Sequence, residues 1–411
     1  MSPQTILACI VGITVASYFF NLVLEILNLR SQRKDIPDEV ASFYDKEKYT
    51  RSLEYHHEQT IFSFITSGFG LVLSFIMLLG GFGWLDHFLQ KYFSSEIPLA
   101  LVFFSSLALA ADLITIPFQW YSVFVIEEKY GFNKTSVKTF ITDKLKGYLL
   151  GALLGGLLLS VLMYLINRIG PGFWIWFGLI ASGFVLFANL FYTSWILPLF
   201  NKLTPLQDGE LKTAIESFAQ KVNFPLNNIF VMDGSKRSKK ANAFFSGVGR
   251  KKKIVLYDTL IENHTVPELV AVLAHEVGHF KKKHIIFSYV LSVIQIFFTL
   301  WVLSLIISNE QVSLALGGTQ LAIHLNLIAF TILFSPISGI TGLLMSLYSR
   351  RNEYEADRYA KETYDGVALA HALKKLSEDS LAELYPHPAY VFFHYSHPPL
   401  LSRLHALNSR P

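Results

Sequence analysis

The chain has 411 residues, of which 52% are hydrophobic and only 16% charged. A soluble domain carries roughly 25% charged residues, so this balance excludes an ordinary soluble protein and points to an integral membrane protein. A net charge of +4 is too small to call for nucleic acid, and the lone Cys9 excludes internal disulfides and a thiolate metal site.

A membrane helix needs about 20 mostly apolar residues. Seven stretches meet that length: 5–28, 61–83, 97–124, 147–167, 172–198, 285–308 and 321–347. Nothing basic precedes the first, and its apolar run is too long for a cleaved signal peptide, so it reads as a retained span. Asn21, Glu25, Asp112 and Asn189 lie within spans, where polar groups are costly; they either line an interior or pair between helices. Pro117 predicts a kink in the third span.

Orientation follows from lysine and arginine, which mark cytoplasmic loops. The first connection carries Arg30, Arg33, Lys34, Lys46, Lys48 and Arg51. The third carries Lys129, Lys134, Lys138, Lys144 and Lys146, and the fifth has runs at 236–240 and 250–253. The second has only Lys91, the fourth only Arg168, and the sixth none. The N-terminus is therefore expected outside, with the long fifth connection and the C-terminal tail in the cytoplasm. The expected division is a membrane region over residues 1–198, a first cytoplasmic stretch 199–284, two further spans in 285–347 and a second cytoplasmic stretch 348–411. The two cytoplasmic stretches can form one composite domain.

Within the first stretch, "NAFF" predicts a short strand between strands expected at 228–233 and 253–259, and an exposed edge there could bind peptide by strand addition. Thr265-Val266-Pro267-Glu268 then reads as a helix start, with threonine capping and glutamate three positions on. In "HEVGH", His275 and His279 stand four apart on one face of that helix, so both can reach one metal ion. Glu276 is one step round, placed to act as a base without filling a ligand position. Lys281, Lys282 and Lys283 follow as interfacial anchors, which puts the site just outside the hydrocarbon.

A catalytic zinc takes three protein ligands and keeps a fourth position open. "RNEYEADRYA", just past the seventh span, offers Glu353 as the third metal ligand. Asp357, four further on, shares its face and is expected to orient a histidine, while Glu355 points away. Without the histidine motif the same stretch would read as an exposed acidic helix face.

These motifs, with "FVIEEKYGFNKTS", "FNKLTPL", "IFVMDGSKRS", "NAFFSG", "IVLYDTL" and "HYSHPPLLSRL", resemble the type I CAAX prenyl proteases along nearly the whole chain. The resemblance implies an all-α integral membrane protein: a barrel of seven transmembrane helices around a large chamber, capped by a mostly helical zincin-type domain with a small β-sheet. It implies one zinc ion per chain, with Asn242 and Ala243 binding the substrate backbone, His397 facing the oxyanion as a catalytic residue, and Arg403 near it. The expected reaction releases the last three residues of prenylated C-a-a-X proteins, with membrane lipid as a further partner and no nucleic acid. A broader membrane-protein quality-control protease, and an inactive transporter or scaffold, are the alternative readings; the intact glutamate and ligand set speak against the last. One departure stands out: where many members read serine and histidine before "NA", this chain has Lys239, Lys240 and Ala241, a more basic surround for the pairing strand. The tail "ALNSRP" lacks a dilysine-type retrieval signal, which favours a bacterial inner membrane over the endoplasmic reticulum.

Overall fold

The computed structural model describes residues 1–246 and 252–409. Gly247, Arg250 and Lys251 of the motifs above, and the last two residues of the tail, lie outside the described residues.

Among the described residues, six helical segments are long and apolar enough to cross a membrane: Pro3–Ser31, Lys46–Gln90, Glu96–Glu127, Val137–Phe200, His284–Ile306 and Ile323–Thr363. The fourth folds back on itself. Gly170, at φ 65°, ends one helix in a conformation that favours glycine, and Pro171 opens the next turn. The halves 156–169 and 173–191 pack side by side, which makes seven spans in all.

Those spans close a ring. The first packs on the second and the seventh, the second meets the third, and contacts run on from third to fourth, fifth, sixth and seventh. The ring leaves space inside: a cavity of about 1550 Å³ is bordered by Leu29, Ile61, Ile65, Pro117 and Phe118 of the first three spans, and only 6% to 17% of the residues in each segment's most apolar window are buried within the protein. A solid bundle would bury the inward stripe of every helix.

Polar groups in the spans are mostly paired. Lys144 reaches both carboxylate oxygens of Asp112 at 2.8 Å, and Tyr148 and Gln119 donate to the same carboxylate. Tyr390 donates to Glu25 at 3.3 Å, while the amides of Asn21 and Asn189 donate to carbonyls four residues back. Pro117 lies inside the third span, and a π-helical stretch, Ser122–Glu127, follows within five residues.

Above the ring sits a domain with its own core. A four-stranded sheet has the order β1-β2-β4-β3, with β1 Leu203–Pro205, β2 Leu226–Met232, β3 Ala243–Ser246 and β4 Lys252–Tyr257. β3 pairs antiparallel to β4, and no described strand covers its other side. Ile254 and Leu256 of β4 pack into the same core as Leu269, Val270, Leu273 and Ala274 of the motif helix. Val40 and Tyr44 from the first connection, and Tyr49 from the first turn of the helix after it, join this core, although they belong to the membrane region in sequence.

The motif helix spans Val266–Lys281 and begins as its sequence requires, with the Glu268 carboxylate accepting from the Thr265 N–H at 2.8 Å. It packs against the seventh span, a single 41-residue helix, Ile323–Thr363, that leaves the ring and runs on into the cap. The two helices meet at Gly278. A Cβ there would stand 3.0 Å from Ala356 Cα and 3.2 Å from the Tyr359 Cβ. Gly278→Val is therefore expected to force the helices apart and destabilise the protein by ~1–3 kcal/mol, the usual cost of overpacking. Thermal unfolding in detergent checks this, with Gly278→Ala falling between wild type and Gly278→Val.

Candidate metalloprotease site

The crossing at Gly278 sets one face of the motif helix against one face of the seventh span. Four-residue spacing stacks His275 and His279 on the first, and Glu353 and Asp357 on the second. The ring Nε2 atoms of the two histidines are 3.1 Å apart. Glu353 Oε2 lies 3.4 Å from His275 Nε2, and Glu353 Oε1 lies 3.3 Å from His279 Nε2.

That triangle can be tested against a metal ion. Zinc bonds of about 2.0–2.1 Å to nitrogen and oxygen imply tetrahedral edges of about 3.3 Å. The two imidazole nitrogens are close to that spacing, each lies within 3.4 Å of one oxygen of the Glu353 carboxylate, and among the described residues the three side chains form the one group of histidine, cysteine and acidic residues close enough to share an ion. His275 and Glu353 are 7% and 5% exposed, so the donors converge where water is scarce.

The surrounding groups hold the triangle in place. Asp357 Oδ1 is 2.8 Å from His275 Nδ1, and Arg403 clamps the same carboxylate through Nε at 2.8 Å and Nη2 at 2.6 Å. Burial would raise the Asp357 carboxyl, but the Arg403 and His275 hydrogen bonds outweigh it and hold it below the ordinary range. Burial alone would lower the His275 imidazole; the Asp357 and Glu353 carboxylates raise it instead to about 9. Burial likewise works against the charge on Glu353, yet hydrogen bonds from both histidines keep its pKa far below the usual carboxylate range. Glu276 is the opposite case. Loss of water around its carboxyl raises its pKa, and the nearby histidines only partly offset this, so it holds a proton more readily than a surface glutamate.

His275, Glu276, Glu353, Asn242, Ala243, His397 and Arg403 line one cavity of about 180 Å³. His397 stands at its rim, with a largely exposed side chain and Nε2 3.4 Å from Glu353 Oε1; Ser396 Oγ lies 3.0 Å from its Nδ1. Asn242 and Ala243 stand at the entry to β3, so the start of that strand borders the cavity.

Three features were not singled out in the sequence. The cavity has an apolar wall of Leu369, Leu373 and Leu376 from the helix Gly366–Asp379, with Val272 beside them. Their i, i+4, i+7 spacing was available as a signal. Glu355 is not among the converging donors, but it is not idle: its Oε2 is 3.2 Å from His284 Nε2, and His284 Nδ1 is 3.0 Å from His279 Nδ1.

The third feature is a brace. Residues 237–239 lie against the third connection: Lys134 N–H donates to Arg237 O at 3.0 Å, and Lys239 N–H donates to Phe132 O at 3.1 Å. Arg237 is paired bidentately with Asp143. Lys240, part of the basic departure before β3, turns its ammonium away from the cavity. It lies 4.5 Å over the Phe132 ring, 3.0 Å from Tyr55 Oη and 3.3 Å from Glu127. Its charge is thus spent on the membrane helices, while Lys239 stays exposed.

Residues 25–202 match the family described as CAAX prenyl protease N-terminal, five membrane helices, and residues 205–411 match Peptidase family M48. The chain is 34% identical to the probable CAAX prenyl protease 1 of Schizosaccharomyces pombe, over 97% of this chain and 88% of that one. It is 32% identical to CAAX prenyl protease 1 of Saccharomyces cerevisiae, over 97% and 94%. The human homologue is 31% identical over 91% and 89%. The crystal structure of S. mikatae Ste24p superposes with a TM-score of 0.93 at 32% identity, covering 98% of this chain and 99% of that one. A hollow ring of membrane helices capped by a histidine–glutamate metal triangle, matched to these proteins end to end, places the chain in the M48 peptidase family, as a multi-pass membrane metalloprotease of the type I CAAX prenyl protease group.

Proposed function

We propose that the chain cuts a peptide bond near the C-terminus of prenylated C-a-a-X proteins, with His275, His279 and Glu353 holding a catalytic zinc ion. The observation that carries the reading is the convergence of the two imidazole nitrogens, 3.1 Å apart, on the Glu353 carboxylate within 3.4 Å, beside a cavity that Glu276 and the start of β3 share. Zinc bound there would polarise the scissile carbonyl and bring the pKa of a water down toward about 7.

The residues of the chain do the rest. Glu276 takes a proton from that water and later delivers it to the leaving amine; its raised pKa suits both halves of the exchange. Asn242 and Ala243 pair with the substrate backbone along the edge of β3 and hold the carbonyl in register. His397, free to move at the rim, donates toward the oxygen on which negative charge develops. Arg403 and Asp357 keep His275 turned so that Nε2 faces the site.

The apolar wall supports the substrate class. Leu369, Leu373 and Leu376 present aliphatic surface beside the reacting groups, which suits the two aliphatic residues of a C-a-a-X end. The lysine distribution supports a cytosolic cap. The relatives compared are all eukaryotic, which favours the endoplasmic reticulum over the bacterial membrane that the C-terminal tail pointed to.

Purified protein is expected to hold about one zinc per chain, and His275→Ala and Glu353→Ala to lose it. Glu276→Gln keeps the shape of the site but cannot take a proton, so metal analysis should find zinc retained while cleavage of a farnesylated C-a-a-X peptide falls by about 10²-fold or more. Near-normal cleavage by Glu276→Gln would sink the mechanism. A quality-control protease would instead cut non-prenylated chains as fast as the farnesylated peptide.

Leu373→Trp tests the wall. It should slow peptides with isoleucine or leucine at the aliphatic positions about tenfold or more relative to those with alanine, the range expected when a pocket must reject added methylenes. Equal slowing of both peptides, read as kcat/KM, would remove Leu373 from the specificity pocket.

A further inference from the structure

We infer that His284 and Glu355 form a second positioning arm of the metal site, an ordered chain of hydrogen bonds that fixes His279 as a ligand. The inference rests on the reading that His279 ligates through Nε2. Given that, its single ring proton sits on Nδ1. The nitrogen it faces is His284 Nδ1, 3.0 Å away. Two ring nitrogens at that distance share one proton, so His279 donates and His284 accepts. The proton of His284 is thereby placed on Nε2, which is 3.2 Å from Glu355 Oε2. The other oxygen of Glu355 accepts from Arg351 Nε at 3.0 Å. One condition, ligation by His279, sets every donor and acceptor along the arm.

The backbone is bent to make this contact. On a continuous helix, residue 284 would lie about 140° round from residue 279, at 100° per residue, and could not meet it. Lys283 breaks the helix with φ 60°, a left-handed conformation costly for any residue with a Cβ. The reversal brings the His284 ring to 5.1 Å from that of His279, centroid to centroid, and leaves His284 only 5% exposed. Strain held at a lysine, where glycine would be free of it, is a sign that the contact beyond it matters.

The arm mirrors the one on His275. There the order is His275, Asp357, Arg403; here it is His279, His284, Glu355, Arg351. Glu355 and Asp357 follow the ligand Glu353 at two and four positions along one helix. Glu355 is not among the converging donors, so it reaches the site only because His284 spans the gap. A carboxylate behind each ligating imidazole holds the ring and strengthens it as a donor.

The test uses the full-length protein in detergent and reads metal retention against graded chelator, with thermal unfolding of the metal-free form as a folding control. His284→Phe and Glu355→Ala should each weaken metal binding about 10- to 100-fold, the usual cost of losing such a partner. Glu355→Gln, which keeps an acceptor oxygen, should lose less than Glu355→Ala. The double variant His284→Phe/Glu355→Ala should be no worse than the weaker single, because both cut one chain. Glu355→Ala combined with Asp357→Ala should lose the product of the two effects, because they cut separate arms. If His284→Phe and Glu355→Ala lower only the unfolding temperature and bind metal as wild type does, the arm is mere packing and the inference falls. If His279→Ala itself keeps the metal, the donor triangle fails instead, and the two failures are thereby told apart.

Discussion

The crossing of two helices at Gly278 and Ala356 is the contact on which the site depends. Neither helix holds a complete metal site. The motif helix brings two imidazoles, the seventh span brings carboxylates, and their donor atoms can converge only if the axes approach closely enough for backbone to touch backbone. Glycine permits that approach because it has no Cβ to meet Ala356. The rest of the cap serves to hold this crossing: the sheet and the helix Gly366–Asp379 back the motif helix, and the ring of spans carries the other partner.

Because the seventh span is one helix from the membrane into the cap, the third donor is rigidly coupled to the ring. The coupling is repeated elsewhere. Val40, Tyr44 and Tyr49 bury themselves in the core of the cap, and the third connection braces the segment leading into β3 through Phe132, Asn133 and Lys134. If the strand edge receives a peptide as proposed, it must not drift relative to the reacting groups. Tying it to membrane helices on one side and to β4 on the other limits that drift.

Electrostatics inside the site follow one pattern. Buried carboxylates that face an imidazole or Arg403 are held ionised, whereas Glu276, which has the weaker partners, is pushed toward its neutral form. The environment separates groups of the same chemical type into ones that hold charge and one held nearer its neutral form. Lys240 follows the same pattern, its charge paired with Glu127 and laid over the face of the Phe132 ring.

Much of this was legible in the chain. Seven apolar runs correspond to six apolar helical segments, one of them folded back at Gly170, because the bilayer demands a minimum length, and Thr265 with Glu268 marks the helix start because local capping chemistry does not depend on distant residues. The spacing of His275 and His279, and of Glu353 and Asp357, places each pair on a shared face for the same reason. Local rules end there. That Glu355 matters through His284 could not be read from periodicity, since the meeting depends on a left-handed Lys283 and on a partner 71 residues away. The brace on Lys240, the contribution of Tyr44 to the cap and the aliphatic wall at Leu373 are likewise matters of which surfaces meet. Sequence determined the elements and the faces they carry, because those follow from backbone geometry and solvent. Only the tertiary structure decided which faces touch, because that is set by packing between residues far apart in the chain.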